Sequence, residues 1–189
     1  METMARRIEV PLGEEVIKTL HAGDEVLLNG IVYTARDMAH ARLKTLIEQG
    51  EELPFEAEGS VIYYVGPSPA PAGRAIGSAG PTTSYRMDPF VPVMFKAGMR
   101  GMIGKGPRSE EVKRLIRESC GVYFGATGGA AALLSGSVIK AEVIAFDDLG
   151  TEAMRKLVVK DMPVIVINDC YGGDLYQEGI KKYSTMGKS

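Results

Sequence analysis

The sequence predicts a layered α/β domain built around a mixed sheet. The chain has 189 residues, which is the length of a single domain, so we expect one domain over residues 1–189. Strand-like and helix-like stretches alternate along it without a regular strand–helix–strand period, and this favours a mixed sheet over a doubly wound parallel one. The 23 glycines cluster between these stretches, which indicates tight turns and excludes a repeat architecture.

The first elements follow from short-range patterns. Arg6–Val10 alternates weakly and predicts an opening strand, and the apolar spacing within Glu14–His21 predicts a helix. Two short apolar runs, Glu25–Leu28 and Ile31–Tyr33, are separated by Asn29-Gly30, a strong turn signal. We therefore expect a β-hairpin after the first helix.

A second helix is predicted by its two ends. Thr34 followed three residues later by Asp37 has the spacing of an N-terminal cap, and Gly50 is placed to end the helix. This pattern puts Arg36 in the first turn. The β-branched and aromatic run Val61–Val65 then predicts a buried strand.

Residues 66–92 form a long segment rich in glycine, proline, serine and threonine, centred on Gly77–Ser84. Such a loop inside a compact domain is more often functional than idle. Val91–Phe95 is compatible with either a helix or a strand, and a second glycine cluster spans Gly98–Gly106. Ser109 is placed to cap the helix that follows.

The last third of the chain continues the alternation. The predicted elements are a strand at Val122–Phe124, a glycine turn at 125–129 leading into an alanine-rich helix through Leu134, a strand at Val138–Phe146, a short helix at Thr151–Val158 and a buried strand at Pro163–Ile167.

Composition excludes several functions. Lys+Arg 22 against Asp+Glu 24 gives a net charge of −2, and without a polybasic run a nucleic-acid partner is not expected. No apolar stretch approaches the ~20 residues of a membrane span, and the start of the chain lacks a signal-peptide pattern, so we expect a soluble cytoplasmic protein. Cys120 and Cys170 lack metal-ligand spacing and are interpreted as reduced thiols in preference to a disulfide or a metal site.

Three basic residues stand in glycine-rich loops or at a helix start: Arg36, Arg86 and Lys105. Each taken singly is more often a solvated surface charge, and only the three together make an anion site an equally good interpretation. Gly77–Ser84 offers an alternative anion-binding nest, but it lacks the spacing of a nucleotide-binding loop. His40, one turn after Arg36, is either a proton carrier, a partner that orients Arg36, or a residue at the edge of the core.

These residues belong to motifs that resemble a known family. The chain is similar to the β subunit, or C-terminal region, of the iron–sulfur-dependent hydro-lyases, that is, class I fumarase and L(+)-tartrate dehydratase. The resemblance covers nearly the whole chain and rests on Leu28–Asp37, Tyr64–Pro67, Gly77–Asp88, Gly101–Gly106, Gly128–Ala132, Asp148–Gly150 and Glu152-Ala153.

The resemblance implies a swivelling β/β/α domain that closes over a [4Fe-4S] cluster. It also implies that three cysteines of a partner α subunit bind the cluster, in an α2β2 assembly, and that this chain provides no metal ligand. The implied activity is that of fumarate hydratase, which interconverts (S)-malate and fumarate. The alternatives are the β subunit of L(+)-tartrate dehydratase and a non-catalytic carboxylate-binding module.

The resemblance also assigns roles to individual residues. It implies that Thr82 takes the proton from the carbon next to the leaving hydroxyl, and that the substrate carboxylates are bound by Arg36, Arg86 and Lys105. Removing that proton builds negative charge on a carboxylate, which clamped cations stabilise.

Three further residues are expected to have supporting roles, and two positions differ from the family. Asp37, His40 and Ser84 are expected to support the groups that contact the substrate. The chain departs from the family where Ala35 replaces the common glycine and where Tyr85 replaces a glycine or small residue, directly before Arg86. Such a tyrosine is expected to narrow the pocket.

Overall fold

The computed structural model describes residues 5–126 and 131–186. Within these ranges the regular elements, in chain order, are β1 (Arg6–Val10), α1 (Glu14–Ile17), β2 (Glu25–Thr34), α2 (Asp37–Gln49), β3 (Val61–Tyr63), α3 (Val91–Lys96), β4 (Gly101–Gly104), α4 (Glu110–Glu118), β5 (Val122–Ala126), α5 (Ala131–Gly136), β6 (Val138–Ala145), β7 (Met154–Asn168) and α6 (Leu175–Met186), with 3-10 turns at Ser84–Phe90 and Asp147–Glu152. The chain is therefore an α/β protein, as predicted.

Five of the strands close into a small barrel. Strands β2, β3, β4 and β5 pair side by side in parallel, and β7 runs antiparallel to both β5 and β2, which closes the ring. Strand β1 extends the sheet in parallel beside β2, and β6 lies antiparallel along β7. The sheet is mixed, as the irregular alternation predicted, and closure leaves the barrel strands without free edges.

Two hydrophobic cores lie on the two faces of this sheet. Because successive strand residues point to opposite faces, Val61 and Tyr63 of β3 join the core inside the barrel while Ile62 joins the core outside it. The outer core is covered by helices α2, α3 and α4, which contribute Leu43, Val91, Met94, Val112 and Ile116 among others. The result is the layered arrangement of sheet and helices that the sequence predicted.

The hairpin predicted at Asn29-Gly30 is wrong, because β2 continues through these two residues as one strand. The pair instead marks a register shift against β7 between Leu28 and Gly30. Gly30 has φ +108, and a Cβ there would lie 2.5 Å from the carbonyl oxygen of Val10, where β1 approaches closely. Gly30 therefore permits a β-bulge and a close contact between two backbones. The chain does not reverse direction at Asn29-Gly30, although this pair is typical of a hairpin turn.

The helix predicted at Thr151–Val158 is also wrong. Its first residues lie in the 3-10 turn, and the rest belong to β7, a 15-residue strand that also includes the predicted strand Pro163–Ile167. The stretch Arg155–Val158 pairs with β2 on one side and β6 on the other. Pairing with two neighbouring strands outweighs the helical preference of a pattern that is only eight residues long.

The remaining differences between the predicted and the observed elements are smaller. The helix predicted at Glu14–His21 is confirmed only as α1, and Val91–Phe95 is helical. The second glycine cluster contains a strand, β4, that was not predicted. Part of the predicted glycine turn at 125–129 lies outside the described residues, whereas the helix expected after it is confirmed as α5.

Over residues 5–126 and 131–186, the helices are all too short or too polar to cross a lipid bilayer.

Candidate functional site

The candidate site lies where the four parallel strands of the barrel end. Arg36 follows β2 by two residues, Gly66 follows β3 by three, and Lys105 comes directly after β4. The carboxyl ends of parallel strands meet at one edge of a sheet, which is the usual place for a ligand in such folds. Three of the segments that carried the family resemblance therefore meet at this carboxyl edge.

The segment Thr82–Arg86 is fastened to the same edge by its backbone. The amide of Thr82 donates to the carbonyl of Tyr64 at 2.7 Å, and the amide of Ser84 donates to the carbonyl of Lys105 at 2.9 Å. Thr83 and Lys105 also form an isolated parallel bridge. The structure therefore brings the backbones of Thr82 and Lys105 together, and the 3-10 turn that begins at Ser84 contains Arg86.

Arg36 occupies the N-cap position of α2 and not its first turn. Its Nη2 lies 3.3 Å from Oε1 of Glu152, while its Nε is buried with no hydrogen-bond partner in the described part of the chain. The guanidinium packs over Gly66, where a Cβ would lie 3.0 Å from Nη1. A buried N–H without a partner is uncommon in folded proteins. The Arg36 side chain as a whole is 25% exposed, so the rest of its guanidinium can be reached from solvent.

The cap predicted at Thr34 is wrong. This residue ends β2, and its hydroxyl accepts a hydrogen bond from the amide of Arg155 at 3.0 Å. The side chain is thus used between two strands, and helix α2 starts at Asp37 without a side-chain cap.

Asp37 holds Arg86 by a bidentate ion pair. Arg86 donates from Nε to Oδ1 at 3.1 Å and from Nη2 to Oδ2 at 2.8 Å. This geometry uses one side of the guanidinium and leaves the hydrogens at its far end, on Nη1 and Nη2, able to bind a second carboxylate. Because the Arg86 side chain is 43% exposed, we expect the pair to orient the guanidinium more than to stabilise the fold.

Lys105 and Thr82 present unpaired polar groups at this edge. Lys105 is exposed, and its ammonium makes no ion pair or hydrogen bond with any residue in the ranges described. Thr82 is half-buried, and its hydroxyl is likewise without a hydrogen-bond partner there. Both groups are free to meet a ligand.

His40 is a buried residue at the edge of the core. Its Nδ1 lies 2.9 Å from the carbonyl oxygen of Arg36, its ring stacks on Phe90, and its edge meets Tyr64. Burial lowers the pKa of His40 to about 4, so the ring is neutral near pH 7. This favours the interpretation as a core residue that holds the backbone of Arg36, and it argues against a proton carrier.

Ser84 is buried beneath the site. Its Oγ is hydrogen-bonded to the hydroxyl of Tyr123 at 2.9 Å, and that hydroxyl also donates to the carbonyl of Gly106 at 2.8 Å. Ser84 lies so close to β4 that a Cβ at Gly104 would overlap its Oγ. Ser84 therefore joins the two segments that carry the cationic groups.

Sequence reasoning missed a buried charge pair under these segments. Arg108 donates from Nε to Oδ1 of Asp88 at 2.8 Å, and its side chain is fully enclosed. Asp88 could have been noticed because it is the last residue of the motif Gly77–Asp88. Nothing in the sequence, however, pairs it with an arginine 20 residues away.

Among the described residues, the carboxyl edge offers no set of side chains that would hold a metal cluster. No group of three or more potential ligands from His, Cys, Asp and Glu occurs among residues 5–126 and 131–186. Cys120 and Cys170 are free thiols that precede β5 and follow β7, which places both at the opposite end of the barrel. Burial, together with the neighbouring Cys120, raises the pKa of Cys170 to about 11, so its thiol stays protonated at neutral pH.

Comparison with known proteins gives consistent matches. Residues 2–179 match the family model described as Fumarase C-terminus. Fumarate hydratase 2 of Leishmania major is 41% identical over 158 residues, which cover 82% of this chain and 28% of that protein. The anaerobic class I fumarate hydratase of Escherichia coli strain K12 is 41% identical over 157 residues, which cover 82% of this chain and 29% of that protein.

One relative matches over nearly its whole length. A Methanocaldococcus jannaschii protein provisionally named L(+)-tartrate dehydratase subunit beta is 37% identical over 177 residues, which cover 90% of this chain and 91% of that protein. By contrast, the chain spans less than a third of the two fumarate hydratases.

Proposed function

Since the chain belongs to the fumarase C-terminal family, we propose that it is the β subunit of an iron–sulfur-dependent hydro-lyase. Its relatives carry the names of enzymes that add water to, or remove it from, small dicarboxylic acids. The proposed reaction is the interconversion of (S)-malate and fumarate, with this chain, as one cytoplasmic domain, contributing the carboxylate-binding half of the active site.

The observation that carries this proposal is the unused hydrogen-bonding capacity of three cations at one edge. In the described part of the chain, Arg36 uses Nη2 alone in its ion pair with Glu152, Arg86 keeps the far end of its guanidinium free, and Lys105 has a free ammonium. A dicarboxylate brings two anionic groups, and planar guanidinium groups bind carboxylates through paired hydrogen bonds.

The same groups suit the proton-transfer step. Loss of a proton from the carbon next to the hydroxyl-bearing carbon moves negative charge onto the adjacent carboxylate, and fixed cations around that carboxylate stabilise the charge as it develops. Thr82, beside Lys105, is the proposed base. A threonine hydroxyl accepts a proton poorly unless nearby positive charge stabilises its ionised form, which is a role for Lys105.

Three further residues act on these groups without touching the substrate. Asp37 orients Arg86 through the bidentate pair, and His40 holds the Arg36 carbonyl at the start of α2. Ser84 keeps the Thr82 segment against Lys105.

The cluster of such an enzyme has no fitting site in the described residues, so we propose that a partner α subunit supplies it, in an α2β2 assembly. A [4Fe-4S] cluster in this family needs three cysteine ligands, whereas this chain has two cysteines, both away from the carboxyl edge. The steps assigned to this chain are therefore limited to binding carboxylates and moving the proton.

L(+)-tartrate dehydration is the second candidate reaction. It is favoured by the Methanocaldococcus jannaschii relative, because that protein is named as a separate beta subunit and is matched over 91% of its length. Tartrate carries one more hydroxyl than malate, and an enzyme rejects or accepts such a group strongly only through a dedicated hydrogen-bond partner. A non-catalytic carboxylate-binding module is the remaining alternative.

The test is anaerobic co-expression with a candidate chain that carries three cluster-binding cysteines. Copurification of the two chains with iron, and dehydration of (S)-malate, would support the fumarate hydratase proposal. Activity on L(+)-tartrate alone would move the assignment to the second reaction. A chain that copurifies with no cluster-bearing protein would favour the binding module.

A variant of Arg86 tests the site itself. We expect Arg86→Ala to reduce turnover of the assembled enzyme by at least ~100-fold, because one fixed charge-assisted contact in a catalytic site contributes about that much. Subunit association, followed by size-exclusion chromatography, should be unchanged. Arg114→Ala is the matched control, since Arg114 forms an exposed ion pair with Glu118 on α4. Equal activity of the two variants would remove Arg86 from the site.

A further inference from the structure

A fully buried guanidinium lies beneath the candidate site. The Arg108 side chain has 0% exposure. Its guanidinium carbon lies 5.3 Å from the ring centroid of Tyr64 and 4.9 Å from that of Tyr123. Its Nη1 lies 3.4 Å from the sulfur of Met102. Because burying an always-charged group is costly, such a residue has to make specific contacts that repay the lost hydration.

Asp88 supplies the main contact. Its Oδ1 accepts the hydrogen bond from Arg108 Nε at 2.8 Å, and its Oδ2 accepts one from the amide of Ser109 at 2.8 Å. Asp88 lies in the 3-10 turn that carries Arg86, while Arg108 follows Lys105 by three residues. One carboxylate therefore joins the two segments that carry these exposed cations.

Tyr123 makes a second connection between the same segments. Its hydroxyl is shared between Ser84 Oγ and the carbonyl of Gly106, while its ring covers Arg108. Burial raises the pKa of the Tyr123 phenol well above its usual range, so the hydroxyl remains a donor at neutral pH.

Contacts at both ends thus hold these two segments against each other. At one end lies the hydrogen bond from the Ser84 amide to the Lys105 carbonyl, and at the other lies the Asp88–Arg108 pair. Arg86 stands between these ends, on the solvent side. Arg108 is too deeply enclosed to reach a ligand at the carboxyl edge.

We propose that Arg108 is a positioning residue of the carboxylate site, which acts through Asp88 and Tyr123 to fix Arg86 relative to Lys105. The inference rests on the proposed function, because it assigns these two cations to the same substrate. Lys and Arg side chains are long and flexible, so two of them bind one small dicarboxylate well only when their backbones are held rigidly.

The first test needs no partner and no activity. Native-state hydrogen exchange of the full chain reports the opening of the Ser84 amide, which donates to Lys105. We expect Arg108→Gln to raise the exchange rate of this amide at least 10-fold more than it raises the rates of amides in the β2–β7 ladder. Arg114→Gln, on the exposed side of α4, should leave both unchanged. Equal acceleration at Ser84 and in the ladder would indicate uniform destabilisation and overturn the proposal.

The second test uses the assembled enzyme. Misplaced cations weaken substrate binding, so Arg108→Gln should raise the KM for the dicarboxylate at least 10-fold. A merely structural role would lower the amount of folded enzyme, which reduces the apparent kcat and leaves KM unchanged. That second pattern would overturn the proposal.

An isosteric variant covers the case in which Arg108→Gln fails to fold. Asp88→Asn keeps the shape of the side chain but removes the charge that pairs with Arg108. It should raise KM in the same direction, and the double variant should be no worse than the more affected single one, because the pair acts as a unit. Additive KM effects would contradict the proposed linkage. If the wild-type complex has no hydro-lyase activity, the proposed function fails, while the exchange experiment still decides whether Arg108 fixes the two segments.

Discussion

Replacing Gly104 by alanine should destabilise the protein through a steric conflict beneath the site. A Cβ there would overlap Ser84 Oγ, and it would lie 3.1 Å from Tyr64 Cδ2 and 3.2 Å from Ser84 Cβ. Neither neighbour has room to move, since both side chains are buried and the Ser84 amide is bound to Lys105. Overpacking of this kind costs about 1–3 kcal/mol. In a protein of this size it should lower Tm by about 2–12 °C.

Thermal unfolding of the 189-residue chain measures the effect. Gly80→Ala is the control, because a Cβ at Gly80 meets nothing within 4 Å in an ordinary backbone conformation. Ser84→Ala should cost about 1 kcal/mol for one hydrogen bond. It also removes the overlapped oxygen, so Gly104→Ala combined with Ser84→Ala should lose less than the sum of the two single losses. A Tm of Gly104→Ala equal to that of Gly80→Ala, or strictly additive losses, would refute this reasoning.

Two other predictions concern stability. Gly30→Ala should lower the free energy of unfolding, measured with urea, by at least ~2 kcal/mol. The reason is that φ +108 disfavours alanine and that its Cβ would lie 2.5 Å from a carbonyl oxygen of β1. An unchanged urea midpoint would contradict this role of the glycine in the bulge. Burial lowers the pKa of His40 to about 4, below the ~6.5 of an unfolded histidine, so the unfolded chain binds the extra proton first as the pH falls. The free energy of unfolding should therefore drop by about 3 kcal/mol between pH 6.5 and 4 because of this residue, and His40→Gln should lack that part of the drop. His21→Gln, which changes the other histidine, should retain it; identical pH profiles for wild type and His40→Gln would show that the buried ring is not responsible.

The elements that the sequence predicted well are those that depend on nearby residues. Gly50 ends α2 in a left-handed conformation, and Ser109 caps α4 by accepting from the amide of Val112. Both signals act within one helical turn, so they do not depend on the rest of the fold. The errors at Asn29-Gly30 and Thr151–Val158 have the opposite origin, because both depend on the pairing of β2 with β7, which joins residues more than 100 positions apart in the chain.

The residues of the candidate site also fall into two groups, those that could be recognised in the sequence and those that could not. Arg36, Arg86 and Lys105 could be singled out because basic residues in glycine-rich loops or at a helix start can be noticed in sequence, whereas Thr82 was indicated only by the family resemblance. Their connection to Arg108 could not, because a buried ion pair leaves no periodic pattern and an arginine in sequence is taken for a surface residue. Only the pairing of β4 with β5 brings Tyr123 beside this arginine.

The charges at the carboxyl edge suggest how strongly the isolated chain should bind its proposed ligand. Arg36 and Arg86 already face Glu152 and Asp37, at 3.3 and 2.8 Å. These two acids offset the two arginines, so that of the three cations assigned to the ligand Lys105 alone lacks an acidic partner in the described residues, against the two negative charges of a dicarboxylate. The edge is also open to water, where such contacts are weak.

We therefore expect the isolated chain to bind malate or fumarate with a Kd above about 1 mM by calorimetry, which corresponds to less than about 4 kcal/mol of binding free energy. The assembled enzyme should bind more tightly, because a partner that covers the edge excludes water and adds its own contacts. Binding by the isolated chain as tight as that of the complex would show that the site is already complete in this chain. That result would favour the stand-alone carboxylate-binding module over the proposed β subunit.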